Sequence, residues 1–362
     1  MSIPSTLPDF WEWFRENGNR LRDTVYGENE GARHEALDEL ASAKSLLARD
    51  LILELGRSLE GGVAELVVSA DGRPERVDEV KSFVSSAPKM EGWEVVAFRP
   101  RMSMREGLEI QIQGETIGPS DVWYRVTPEE DGLGLTLYVQ GLTDENEEMR
   151  GLGASLLAEH EIGERDVLTL LSSLGCEALP ADPQAEDLQP FKTIVATFEE
   201  ARIKRYPPPG SLTVDDGKWQ MLEGEINEKP AWIFINRTFD HYVGHPDYDG
   251  RLTVRIRFHD VREDGLPTTE EEYAEAQELS EQVCKMLQQG QESLHVMTLV
   301  MDGRRDMILY TNGLEQALAH LNSAPTNDFN HRLETEFEWD TAWGMYRAFV
   351  QAGDQDDEPS EN

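Results

Sequence analysis

At 362 residues with 39% hydrophobic content, the chain is longer than one ordinary core requires, and two domains are expected. Its 71 acidic and 33 basic residues give a net charge of -38, which argues against direct binding to nucleic-acid phosphates anywhere but in a local basic groove. No apolar run approaches the roughly 20 residues that cross a bilayer, and Met1 to Phe14 lacks the basic and apolar regions of a secretory signal.

The cysteines, Cys176 and Cys284, have no second thiol nearby. Neither a disulfide framework nor a thiolate zinc site is therefore expected, and a reducing cytoplasm is the expected setting. Residues 1–200 carry 18 basic and 40 acidic side chains, and residues 201–362 carry 15 and 31. Even spreading, with only 8 lysines, reads as adaptation of the whole surface to high salt. The alternative is a decoy surface for a basic partner such as a nuclease.

The first predicted elements are two helices. Leu7 to Thr24 carries Phe10, Trp11, Phe14 and Leu21 at helical spacing, and Gly31 to Leu55 repeats that period through Leu40, Leu47 and Leu51. A strand at Ala64 to Ser69, a turn at Asp71-Gly72, a helix from Pro74 to Ser86 and a strand at Trp93 to Arg99 follow. Strands at Val122 to Thr127 and Leu133 to Val139 flank a turn containing Asp131-Gly132. A helix from Asp144 to His160, a strand around Val167 to Leu174 and an acidic stretch ending near Arg202 complete an N-terminal α+β domain over residues 1–205. Tyr206-Pro207-Pro208-Pro209-Gly210 is stiff and extended, and residues 206–217 read as a linker.

Beyond it, residues 218–350 form a second α+β domain. Lys218 to Ile226 and Ala231 to Asn236 read as strands around the turn Asn227-Glu228-Lys229-Pro230, with a third strand at Leu252 to Phe258. Thr268 and Thr269 each precede a glutamate by three residues, Glu271 and Glu272, so either can open a capping box. The helix behind them sets Tyr273, Ala276, Leu279 or Ser280, Val283, Met286 and Leu287 in one stripe, and Gly290 ends it. Leu294 to Met301 and Arg304 to Tyr310 flank Asp302-Gly303, a strong hairpin signal. A short helix from Leu314 to Leu321, a strand near Arg332 to Glu338 and a helix from Trp339 to Val350 close the domain. Residues 351–362 read as an acidic disordered tail.

Several segments resemble a known family. Trp219-Gln220-Met221-Leu222-Glu223-Gly224-Glu225, Pro230-Ala231-Trp232-Ile233-Phe234-Ile235-Asn236, Arg262-Glu263-Asp264-Gly265-Leu266-Pro267, Gly303-Arg304-Arg305-Asp306 and Trp339-Asp340-x-x-Trp343-x-x-Tyr346 occur in order. Lys218 to Val350 is similar to the domain-of-unknown-function family 695, itself described as similar to the regulator of ribonuclease E activity B. Phe10-Trp11-Glu12-Trp13-Phe14 and Gly92 to Arg101 resemble an N-terminal region that accompanies this domain in some bacterial proteins. The resemblance implies a ferredoxin-like second domain and a binding role, with nuclease control as an analogy of fold.

Catalytic constellations are sparse. His241-x-x-x-His245-x-Asp247-x-Asp249 offers ligands that zinc or iron prefers, in a loop where so acidic a chain also places them without function. His259-Asp260 has no nucleophile tied to it. Gly132-Leu133-Gly134 and Gly151-Leu152-Gly153 lack the context of a phosphate loop, and no cofactor is expected. Arg304 and Arg305 suit forked carboxylate contacts, either to Asp306 or the acidic helix, or to a partner. The expected function is noncatalytic protein binding, with Arg304, Arg305, Glu271, Glu275 and Glu278 at the interface and a partner that carries basic groups. A metal-dependent hydrolase at His241, His245, Asp247 and Asp249 and an immunity-like antidote are the alternatives.

Overall fold

The computed structural model describes residues 4–57, 63–101, 109–130, 132–207, 218–288, 292–322 and 331–356. The turn residue Asp131, most of the expected linker (208–217), the helix stop at Gly290 and residues 357–362 of the expected tail lie outside these. The chain is α+β, and it divides into two compact units, Met1–Lys204 and Arg205–Asn362.

In the first unit, helices α1 (Leu7–Val25) and α2 (Glu30–Lys44) precede strands β1 (Ile52–Arg57) and β2 (Ala64–Ser69), helix α3 (Val77–Ser85) and β3 (Trp93–Ala97). Thr6 and Asn29 cap the two leading helices by accepting the amides of Asp9 and Ala32. Sheet order is β1-β2-β3, antiparallel and then parallel, the parallel pair being joined by α3. Phe10, Trp11, Phe14 and Phe83 pack over it with Leu53, Leu66 and Val68. Two expectations change here. The second helix stops at Lys44, and Ile52–Arg57 is a strand, because Lys44 turns its buried ammonium onto the carbonyls of Ala48 and Arg49 and closes the turn.

The same unit continues with β4 (Ile110–Ile112), β5 (Glu115–Ile117), β6 (Val122–Pro128), β7 (Leu133–Val139), α4 (Glu147–Ile162), α5 (Glu164–Leu170), β8 (Leu171–Ala178), β9 (Gln189–Pro190) and α6 (Ile194–Arg205). Of the strand expected around Val167 to Leu174, Val167 to Leu170 closes helix α5 and Leu171 to Leu174 opens β8, and the acidic stretch before Arg202 is helical. Glu164, 1% exposed, joins the parts. Its Oε1 accepts from Ser69 Oγ and the amides of Ala70 and Asp71, and its Oε2 accepts from the Arg99 amide at 2.8 Å.

The second unit is one antiparallel sheet. It contains β10 (Trp219–Ile226), β11 (Lys229–Asn236), β12 (Gly250–Arg257), α7 (Glu270–Gln288), β13 (Ser293–Met301), β14 (Arg304–Thr311), α8 (Leu314–Asn322), β15 (Leu333–Trp339) and α9 (Gly344–Asp356). Spatial order is β10-β11-β13-β14-β12-β15. Asn227 and Glu228 form the β10–β11 turn with φ of 52° and 64°. Asp302 and Gly303 form the β13–β14 turn with φ of 47° and 76°, both in the left-handed region that two-residue hairpins require.

The two faces of the sheet bury different partners. Leu252, Val254, Met307, Leu309 and Val300 pack under α7 and α8. Ile233, Ile235, Ile308 and Tyr310 pack under Trp343 and Tyr346 of the C-terminal segment. Trp343 stacks on Tyr310 at 4.0 Å and donates Nε1–H to the Tyr248 carbonyl, while Tyr310 donates to Asp340 Oδ2 at 2.6 Å. Asp340 also accepts the amides of Gly344 and Met345. The last helix therefore starts at Gly344, not Trp339, and it continues to Asp356 through residues expected in the tail.

Candidate functional site

The residues singled out in the sequence do not converge on one place. His241 is exposed, whereas His245 is buried, stacked on Tyr242 at 5.4 Å and touched edge-on by Tyr206 and Tyr248. Its Nδ1 accepts the Asp247 amide at 3.1 Å, and the buried Asp249 accepts the Asp340 amide on its carbonyl. Among the described residues, no group of three or more His, Cys, Asp or Glu side chains is placed to hold a metal ion. His259 stacks on His331 at 4.7 Å, and Asp260 is exposed. Glu271 and Glu278 are exposed on α7 and Glu275 is half-buried.

Arg304 and Arg305 separate because successive strand residues face opposite sides of the sheet. Arg304 lies 3.2 Å from Asp306, which also takes both forks of Arg255 at 2.8 and 2.9 Å. That cluster is a structural ion network. Arg305 points to the α7 side and enters a different environment.

A groove runs there between α7 and the β10–β11 hairpin. It comprises two cavities of about 630 and 490 Å³ that share Phe234 and Tyr273 as walls. Register explains its sheet side: Trp219 pairs with Asn236, Met221 with Phe234 and Glu223 with Trp232, so these side chains share one face. The helix contributes Tyr273, Gln277, Ser280, Glu281, Cys284, Lys285 and Gln288 from one flank. Trp219 is 45% exposed and Met221 51% exposed, although both belong to an apolar wall. β10 is also an edge strand, hydrogen-bonded only to β11 among the described strands.

The floor of the larger cavity is polar. Arg305, 7% exposed, donates Nε–H to Ser280 Oγ at 3.0 Å and sits 5.5 Å over the Tyr273 ring. Ser280 in turn donates to the Gln277 carbonyl at 2.8 Å. His295 Nε2 lies in hydrogen-bond contact with Thr298 Oγ1 at 2.9 Å, and the Trp219 ring lies 5.1 Å from the imidazole. In a regular strand, residues three apart face opposite sides. The bulge between His295 and Met297 returns His295 to the face of Thr298.

Burial, reinforced by Arg305, pushes the His295 imidazole down to about 4, so it is neutral at pH 7. Burial pushes the Cys284 thiol up to about 12, which leaves it a poor source of thiolate. The floor thus offers one fixed positive charge and neutral hydrogen-bonding groups. It is suited to holding an anionic group.

Arg305 is legible in the sequence as a forked donor. Trp219 and Met221 enter there only as family motif residues, and His295 escapes notice because a bulge leaves no mark in alternation. Ser280 does leave one: it is the hydroxyl in an otherwise apolar helical stripe.

The model of a family of unknown function, DUF695, matches residues 217–350, the stretch that holds β10 to β15 and the groove. Comparison with curated proteins and with solved structures finds no match.

Proposed function

We propose that the chain is a noncatalytic binding protein whose C-terminal unit takes a segment of a partner protein in the groove between α7 and β10–β11. The carrying observation is the exposed Trp219–Met221 stripe on an edge strand beside a continuous aromatic cleft. The lining runs from Glu270 to Gln288, the length of α7, or about 28 Å at 1.5 Å per residue. Two cavities end to end suit an extended segment better than one small ligand.

Charge narrows the partner. Glu223, Glu270 and Glu281 line the rim with Arg262, which pairs with Asp264, and Lys285, and Glu271 and Glu278 are exposed beside them, so the acidic excess favours basic residues flanking the bound segment. Strand order β13-β14-β12-β15, with α7 and α8 as the two crossovers, supports a ferredoxin-like reading of this unit, extended by the β10–β11 hairpin. By that analogy of fold, a nuclease-like enzyme is the first partner to examine.

The test compares the wild-type chain with Trp219→Ala/Met221→Ser in capture from native lysate, followed by rebinding of the purified captured protein. The wild type should retain a protein that the double variant loses. Equal retention by both would contradict the groove as the docking site.

A further inference from the structure

The floor of the groove holds a cation that nothing in the described structure neutralises. Arg251, Arg255 and Arg257 on the neighbouring strand β12, and Arg304 beside it on β14, each lie within ion-pair distance of a carboxylate. Arg305 is more buried than any of them and forms no ion pair among the described residues. In a chain with 71 acidic residues and 33 basic ones, a carboxylate partner is the easiest thing to supply. Among the described residues its guanidinium makes one hydrogen bond, from Nε to Ser280, and Nη1 is buried without an acceptor.

An unpaired buried charge costs several kcal/mol in general, and the Tyr273 face offsets only part of that. We propose that Arg305 is the anchor of a carboxylate subsite, filled by one acidic side chain or the C-terminal carboxylate of the segment that binds the groove. The proposal rests on the groove reading above and adds the chemistry of its centre. The planar fork fits a carboxylate bidentately. His295 is neutral, so Arg305 is the charged group of the buried floor and matches a monoanion, while at the rim the exposed Glu281 and Lys285 offset each other. Trp219, against the His295 ring, supplies an apolar lid for the carbon attached to the carboxylate.

Binding of benzoate, benzamide and phenylphosphonate to the full chain, followed by Trp219 fluorescence with Trp219→Phe as the blank, tests this. Benzoate should saturate the signal and bind at least about tenfold tighter than neutral benzamide. Arg305→Met should remove that preference and leave benzamide unchanged, and Arg305→Lys, which keeps the charge but loses the fork, should retain part of it. Equal binding of benzoate and benzamide by the wild type would overturn the subsite. So would tenfold tighter binding of phenylphosphonate, which would assign the floor to a dianion. Because the probes need no partner, failure here leaves the capture comparison of Trp219→Ala/Met221→Ser as an independent test of the groove.

Discussion

Gly265 is the residue on which the loop before α7 depends. Its φ is 83°, and a Cβ there would meet Asp302 Cα at 2.9 Å, because the loop backbone lies directly on the β13–β14 turn. Gly303 donates its amide to the Gly265 carbonyl at 2.6 Å, and the Gly303 carbonyl accepts the Phe258 amide. Gly265→Ala should destabilise the C-terminal unit by about 2–4 kcal/mol, measured by urea unfolding, since strain and contact act together. Tyr310→Phe is narrower. It removes one hydrogen bond to a carboxylate while keeping the Trp343 stack, and a loss of about 1.5–3 kcal/mol is expected in the same assay. His295 supplies a pH signature. Its folded pKa lies below the ordinary value of 6.5, so the unfolded chain binds more protons between about 6.5 and 4. Its contribution is intact above 6.5 and falls as pH drops through that window, with an upper limit of about 3 kcal/mol. His295→Asn should flatten this part of the stability profile relative to wild type, and an unchanged slope would contradict the assignment.

Among the elements, the clearest dependence is the Glu164 junction. One carboxylate at the start of α5 satisfies amides at the ends of β2 and β3, so Glu164→Ala leaves the buried Ser69 hydroxyl and Ala70 amide and the part-buried Arg99 amide without this acceptor, while the Asp71 amide keeps Ser69 Oγ. A loss of about 3 kcal/mol or more is expected in the N-terminal unit, while near-ultraviolet signals from Trp343 and Tyr310 stay unchanged. Nothing in Gly163-Glu164-Arg165 announces this, because the partners are remote in sequence. Legibility follows period and turn chemistry. The Asp302-Gly303 hairpin, the capped α7 and the β10–β11 pair can be read because each is local. The cap itself differs in one arm: Thr269 Oγ1 accepts the Glu272 amide, but the Glu272 carboxylate accepts from the His259 amide. β1 is hidden because Leu47, Leu51 and Leu55 continue a helical spacing across the turn after Lys44. Trp339, Asp340, Trp343 and Tyr346 are visible as a motif, yet only the structure separates a strand end, a cap and two core aromatics.

For the molecule as a whole, a charge of -38 divided almost evenly along the chain means self-repulsion in dilute buffer. Molar salt should raise the melting temperature of the full chain by screening it. A temperature indifferent to salt would instead favour charge compensation by local pairs. The groove departs from this acidic surface: aromatic walls, a neutral imidazole and one unpaired guanidinium stand inside a rim where Glu223, Glu270 and Glu281 meet Arg262 and Lys285. That contrast is not legible from composition, which averages over it.

The docking claim is tested most directly by placing a photo-crosslinking amino acid at position 219, on the groove, and at position 152, where Leu152 is 47% exposed in the other unit. Irradiation in cells that natively carry the chain should give one defined protein adduct from position 219 and none from position 152, and Arg305→Met should abolish it. No adduct from position 219, or equal adducts from both positions, would contradict the groove as the site where this protein takes its partner.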